Sequence, residues 1–132
     1  MRAAGVDVKT VLLIEDDEAS QYIYTTMLEH AGYRIVQART GPAAADLLER
    51  MHPDLVIMDI GLPGVSGFEL TRSIRDNPST RDVPVLVITV HVFPDDVKRA
   101  HESGCTGFMA KPVDPSVVLE QVQALIGPAR VE

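Results

Sequence analysis

Asp54-Leu55-Val56-Ile57-Met58-Asp59 is an apolar run closed by a carboxylate, and Gly61, Pro63, Gly64 and Gly67 follow at once and turn the chain. A short run that is apolar throughout, rather than alternating, suits a strand covered on both faces of a parallel sheet. A lone acid at the end of such a strand, on a loop that cannot continue it, is presented at the carboxyl edge of the sheet. In open α/β sheets that edge is where ligands bind. Asp59 is therefore the leading candidate for a reactive group.

Similar runs lie on either side. Lys9 to Ile14 is too short for a helix and ends in Glu15-Asp16-Asp17-Glu18; Tyr33 to Ala38 is a less apolar strand; Val83 to Thr89 is a fourth and Gly107 to Ala110 a short fifth, ended by Lys111-Pro112. Helical stretches separate them. From Glu18 to Ala31, Ala19, Ile23, Met27, Leu28 and Ala31 recur at helical spacing, and the acids at the start suit the positive end of the helix dipole. Pro42 opens a second helix with Ala45, Leu48 and Met51 inward, ended by His52-Pro53. Ser66-Gly67-Phe68-Glu69 has the form of a capping box for a third helix, running to about Arg75. Pro94 to Ser103 is a fourth, with Phe93, Val97 and Ala100 as its apolar stripe. Asp114-Pro115 starts a fifth, with Val118, Val122, Leu125 and Ile126 inward and Gly127 at its end. Five strands alternating with five helices predict an α/β, doubly wound parallel sheet. One domain over 9–127 is expected, between a flexible tail at 1–8 and a fraying one at 128–132.

Composition narrows the function. The 132 residues suffice for one core, and 45% hydrophobic content argues against disorder. A net charge of -7 disfavours a broad nucleic-acid face. A single cysteine, Cys105, forbids an internal disulfide and fits a reducing compartment, with the thiol read as a small buried filler. No signal peptide or membrane-length apolar run is found, so no membrane insertion is expected.

Three strand ends carry candidate chemistry: Glu15 and Asp16 after the first, Asp59 after the third, Lys111 after the fifth. If the first and third strands are neighbours, three carboxylates converge and demand a counter-charge. Mg2+ meets that demand with oxygen ligands and retained waters, whereas zinc lacks any Cys/His cluster at ligand spacing. Against this stands simple capping of the first helix, the favoured reading for Asp17.

The set Val11-Leu12-Leu13-Ile14-Glu15-Asp16, Asp54 to Gly67, Val87-Ile88-Thr89 and Lys111-Pro112 resembles the receiver domain of two-component response regulators, in order and spacing, from about residue 9 to 126. Within that CheY-like superfamily it is similar to stand-alone receivers of the DivK type. The resemblance implies a flavodoxin-like fold of strand order 2-1-3-4-5. It implies that Asp59 takes a phosphoryl group from a histidine kinase or a histidine phosphotransfer protein, and that Glu15, Asp16, Asp59 and the backbone carbonyl of Gly61 hold Mg2+. It further implies that Lys111 pairs with a phosphoryl oxygen, with a cis bond before Pro112, and that Thr89 and Phe108 are the switch. The output surface would be the fourth helix, fifth strand and fifth helix. Such a protein is a cytoplasmic monomer or weak dimer, and no enzyme beyond its own phosphorylation and dephosphorylation.

Two positions depart from the pattern. Val90 stands where the family places a small residue, and its bulk could hinder phosphodonors. Gly61 and His91 occupy positions that tune hydrolysis in the family; Gly61 offers no side chain there. His30, His52 and His101 are read as surface residues. The competing reading is a receiver-fold adaptor that binds regardless of phosphorylation, favoured by Val90 and opposed by the costly acidic set. A flavin or nucleotide enzyme lacks its glycine motif after the first strand. A haloacid-dehalogenase-type phosphatase would need a second acid where Gly61 stands.

Overall fold

In the computed structural model, which describes residues 7–131, five parallel strands form one sheet: β1 (Thr10–Ile14), β2 (Arg34–Ala38), β3 (Leu55–Met58), β4 (Val85–Thr89) and β5 (Gly107–Ala110). Their order across the sheet is 2-1-3-4-5, as expected. Helices α1 (Glu18–His30), α2 (Gly41–Leu48), α3 (Gly67–Asp76), α4 (Pro94–Ser103) and α5 (Pro115–Ile126) connect them.

Side chains alternate across each strand, and this sorts the core into two layers. Leu12, Ile14, Val56, Met58, Val85 and Val87 pack with α2, α3 and α4 through Ala44, Phe68, Leu70, Ile74 and Ala100. Val11, Leu13, Leu55, Ile57, Leu86 and Ile88 pack with α1 and α5 through Tyr24, Leu28, Val118 and Val122. All four residues of β3 are buried, because strands lie on both its edges and helices on both its faces. That double cover is why its sequence is apolar without alternation.

The helices begin where their caps place them. Asp17 accepts from Ser20 N at 2.9 Å, Thr40 from Ala43 N at 3.1 Å, Ser66 from Glu69 N at 3.2 Å and Asp114 from Ser116 N at 2.8 Å. Asp17 thus has the capping role expected of it.

Several details differ from the sequence expectation. In α1 the buried line is Gln21, Tyr24 and Leu28, whereas Ile23 is 45% exposed and Ala19 is also at the surface. An apolar period cannot register a glutamine whose amide is satisfied indoors. Helix α2 ends at Leu48, short of His52, and buries Ala44 rather than Ala45, a phase error of one residue in an alanine-rich stretch. Phe93 is 78% exposed, because it precedes α4 as its extended N-cap instead of lying on the inward stripe. β4 starts at Val85, since Pro84 has no N–H for the ladder, although its carbonyl still accepts from Val56 N at 2.9 Å. Cys105 is only half-buried, packed at the edge of the α2–α4 layer.

The expected tails need correction at their inner margins. Residues 1–6 and 132 lie outside the described residues, but Asp7–Val8 pairs antiparallel with Arg130–Val131. Lys9 N donates to Ala129 O at 2.9 Å, and the Tyr33 hydroxyl and the Lys9 ammonium donate to the carbonyls of Gly127 and Ile126 at the end of α5. Backbone pairing of two residues leaves no sequence period to detect.

Candidate functional site

The carboxyl edge of the sheet is continued one residue beyond three strands by backbone hydrogen bonds. Glu15 N donates to Ala38 O at 3.0 Å, Asp59 N to Ile14 O at 3.2 Å, and Lys111 N to Thr89 O at 2.8 Å. Glu15, Asp59 and Lys111 therefore leave the backbone from an ordered ladder rather than a free loop. The turn after β3 is held equally closely. A Cβ on Gly67 would meet Ile60 Cα at 2.7 Å and Asp59 O at 2.9 Å, so only glycine lets the start of α3 rest against the backbone of the acidic loop.

Asp59 is 8% exposed and receives three donors. Its Oδ1 accepts from the Thr89 hydroxyl at 2.7 Å and from Gly61 N at 3.0 Å, and its Oδ2 from the Lys111 ammonium at 3.1 Å. Lys111 also pairs with Glu15 Oε1, while Glu15 Oε2 accepts from Asp17 N at 3.2 Å. Glu15, Asp16 and Asp59 each place a carboxylate oxygen within 4.8 Å of the others. The residues singled out in the sequence, Glu15, Asp16, Asp59, Thr89 and Lys111, are thus brought together. The Lys111–Pro112 bond is cis.

Burial and charge act against each other here. Desolvation pushes Asp59 up, but the bonds from Thr89, Gly61 N and Lys111 outweigh it and leave the carboxyl below its ordinary value. For Glu15 desolvation prevails over the Lys111 and Asp17 bonds and raises it. Desolvation lowers Lys111, yet its bonds and charge contacts with Glu15 and Asp59 more than offset this, so it is raised. Three carboxylates and one ammonium leave two negative charges uncompensated. The donor set is all oxygen, and Asp16 is exposed, which gives solvent a way in. Such a set fits a hard divalent cation that keeps several waters.

Phe108 pairs in register with Val87 and is half-buried against the α2–α4 layer, with its ring centroid 6.5 Å from that of His101. His30, His52 and His101 are exposed, as expected. Val90 is 61% exposed beside Thr89, at the rim of the site.

One arrangement escaped the sequence. A Cβ on Gly61 would meet His91 Nε2 at 2.7 Å and lies 3.8 Å from Asp59 Oδ1. The imidazole therefore fills the space that a side chain at 61 would occupy. His91 N also donates to the Thr89 hydroxyl at 3.1 Å. Thirty residues separate 61 from 91, and the β3–β4 pairing with the Thr89–Asp59 hydrogen bond brings them together. The absent side chain at 61 was the available signal.

Comparison with known proteins agrees with this geometry. Residues 11–123 match the family model described as the response regulator receiver domain. The chain is 34% identical over 121 residues to the polar-differentiation response regulator DivK of Brucella ovis, covering 92% of this chain and 98% of that one. It is similar to the receiver domain of a sensor histidine kinase of Pseudomonas aeruginosa, solved with a magnesium ion coordinated in the active-site cleft: 30% identity, TM-score 0.84, covering 92% of this chain and 99% of the other. A response regulator structure from Chloroflexus aurantiacus superposes with TM-score 0.86 at 28% identity, covering 91% and 98% of the two chains.

Proposed function

This chain belongs to the response regulator receiver domain family, and from that membership we propose that Asp59 is its phosphoacceptor, served by Mg2+ and switched through Thr89 and Phe108. The observation that carries the reading is the triple-held carboxylate of Asp59 beside Glu15, Asp16 and Lys111. Glu15, Asp16, Asp59 and the carbonyl of Gly61 would hold the metal, which supplies charge neutralisation at the phosphoryl oxygens when bound. The magnesium-containing Pseudomonas receiver supports the choice of ion.

In the transfer itself a carboxylate oxygen of Asp59 attacks the phosphorus of a phosphohistidine donor. The O–P bond forms as the N–P bond breaks, and the imidazole leaves. Lys111 orients a phosphoryl oxygen as a compact charge, and the Gly61 N–H and Thr89 hydroxyl are donors already aimed at this carboxylate. The donor would be a histidine kinase or histidine phosphotransfer protein, and the exchange would occur in the cytoplasm. No helix among the described residues is long and apolar enough to cross a membrane. Phosphorylation adds acceptor oxygens that draw the Thr89 hydroxyl, and Phe108 follows, altering the surface of α4, β5 and α5. Incubation with Mg2+ and acetyl phosphate, read by intact mass, tests this: one phosphate adduct is expected, and no adduct with any donor would favour the phosphorylation-independent adaptor instead.

Val90 and the Gly61–His91 pair give two further expectations. Val90→Ala removes bulk at the rim and should speed uptake from small donors severalfold, with little change in stability because the side chain is largely exposed. Stopped-flow uptake from phosphoramidate measures this, and an unchanged rate would clear Val90 of hindering access. Gly61→Ala must displace the His91 ring, so it should change the lifetime of the phosphorylated protein in the wild-type background. In a His91→Ala background the same substitution meets no ring and should change the lifetime far less. Additive effects in this double-mutant cycle would show that the two positions do not act through each other.

A further inference from the structure

Gln21 is buried to 7% exposure on the inward line of α1, one turn before Tyr24 and two before Leu28, where an apolar side chain would pack without polar cost. Burying an amide is unfavourable unless its donors find acceptors. The Nε2 of Gln21 donates to the carbonyl of Glu15 at 3.3 Å and to that of Ala38 at 3.5 Å. These carbonyls lie just beyond β1 and at the end of β2, and the Ala38 carbonyl also accepts from Glu15 N at 3.0 Å. From the solvent side, Arg39 donates to the carbonyl of Asp16 at 3.4 Å. Side-chain donors therefore grip the backbone of Glu15 and Asp16.

We infer that Gln21 is a positioning residue for the divalent-cation site. Like-charged carboxylates repel, and a loop free to relax would part them. Lys111 bonds Glu15 and Asp59 directly, but the direction in which Asp16 leaves the chain is set by its backbone. By fixing the Glu15 carbonyl, Gln21 fixes the peptide unit between Glu15 and Asp16, and so keeps both carboxylates within 4.8 Å of Asp59 before any cation arrives. The inference rests on Glu15, Asp16 and Asp59 being the metal-holding set. Partners that orient ligands without touching the metal are commonly needed for full affinity.

The test is calorimetric titration of Mg2+ into the unphosphorylated protein, its Gln21→Met variant and a Leu28→Val variant, with the thermal midpoint of each measured in EDTA. Gln21→Met keeps the length and removes both donors. It should weaken Mg2+ binding by about tenfold. Leu28→Val disturbs the same helix away from the acidic loop and should lower the midpoint while binding Mg2+ as wild type does. Equal binding by Gln21→Met and wild type would overturn the inference, as would equal loss of affinity in Leu28→Val. Should Gln21→Met fail to fold, the wild-type side-chain amide signals of Gln21 decide by NMR: they should shift along the Mg2+ titration with the midpoint of Asp16 and Asp17, and their indifference to saturating Mg2+ would equally overturn it. A wild type that binds no Mg2+ removes the metal reading itself, whereas tight wild-type binding with unchanged Gln21→Met binding removes only the positioning role.

Discussion

Asp59→Asn is expected to abolish phosphate uptake completely while leaving the fold in place. The substitution keeps the shape that the site already satisfies. An amide oxygen can still accept from the Thr89 hydroxyl and from Gly61 N, which hold Oδ1 at 2.7 Å and 3.0 Å. What is lost is the charged nucleophile. A carboxylate forms an acyl phosphate by donating an electron pair it holds in full, and a carboxamide oxygen is a far poorer donor. The wild-type group is well suited to supply that pair. Burial alone would push Asp59 towards the protonated form, but Thr89, Gly61 and Lys111 together hold it below the ordinary carboxylate range. Asp59 is therefore ionised throughout neutral pH, and uptake should fail on this account only as pH falls below the ordinary carboxylate range. The measurement is intact mass after incubation with Mg2+ and acetyl phosphate or phosphoramidate. One adduct is expected for wild type, none for Asp59→Asn, and none for wild type in EDTA. A full adduct on Asp59→Asn would assign the acceptor elsewhere and sink the reading of this site.

The strands are legible in the sequence because the strongest signal, unbroken burial on both faces, coincides with short apolar runs bounded by glycine, proline or acid, whereas their order rests on the resemblance to the receiver family. The acidic cluster is legible in part: each member stands at or just past a strand end, but which ends meet follows from the strand order that the resemblance implies. Residues held by polar contacts were less so. Gln21 is polar yet buried, so an apolar periodicity passed over it and assigned Ala19 and Ile23 to the inward face instead. The resemblance puts His91 and Gly61 at positions that tune hydrolysis, but the contact of the imidazole with Gly61 depends on a pairing between β3 and β4 that has no local trace. Phe93 shows the converse. It is an aromatic at helical spacing from Val97, yet it caps α4 with its ring 78% exposed, since backbone geometry at a helix start outweighs apolar content.

Lys111→Ala is expected to separate phosphate uptake from switching. Its side chain is 14% exposed and bonds two buried acids, Glu15 and Asp59. Removing it leaves those charges without their cation, and such a loss costs roughly 3 kcal/mol in the metal-free protein. The pH dependence follows from the raised value of Lys111: the stabilisation is fully present below the ordinary lysine value and is lost as pH rises through the folded value above it. The stability gap between wild type and variant should thus be constant across neutral pH and close only under strongly alkaline conditions, as measured by urea unfolding in EDTA. Mg2+ should bind the variant more tightly, since a like charge has left the cluster while Glu15, Asp16 and Asp59 remain. With metal bound and the nucleophile intact, Lys111→Ala should still accept phosphate, at least in part. The phosphorylated variant lacks the ammonium that holds a phosphoryl oxygen in place, so the Thr89 hydroxyl has no fixed acceptor to move towards. Amide signals of Thr89 and Phe108 should therefore shift on phosphorylation in wild type and stay near their unphosphorylated positions in the variant. Equal shifts in the two phosphorylated proteins, or equal binding of a phosphorylation-dependent partner, would show that Lys111 serves the acid cluster alone and takes no part in the switch.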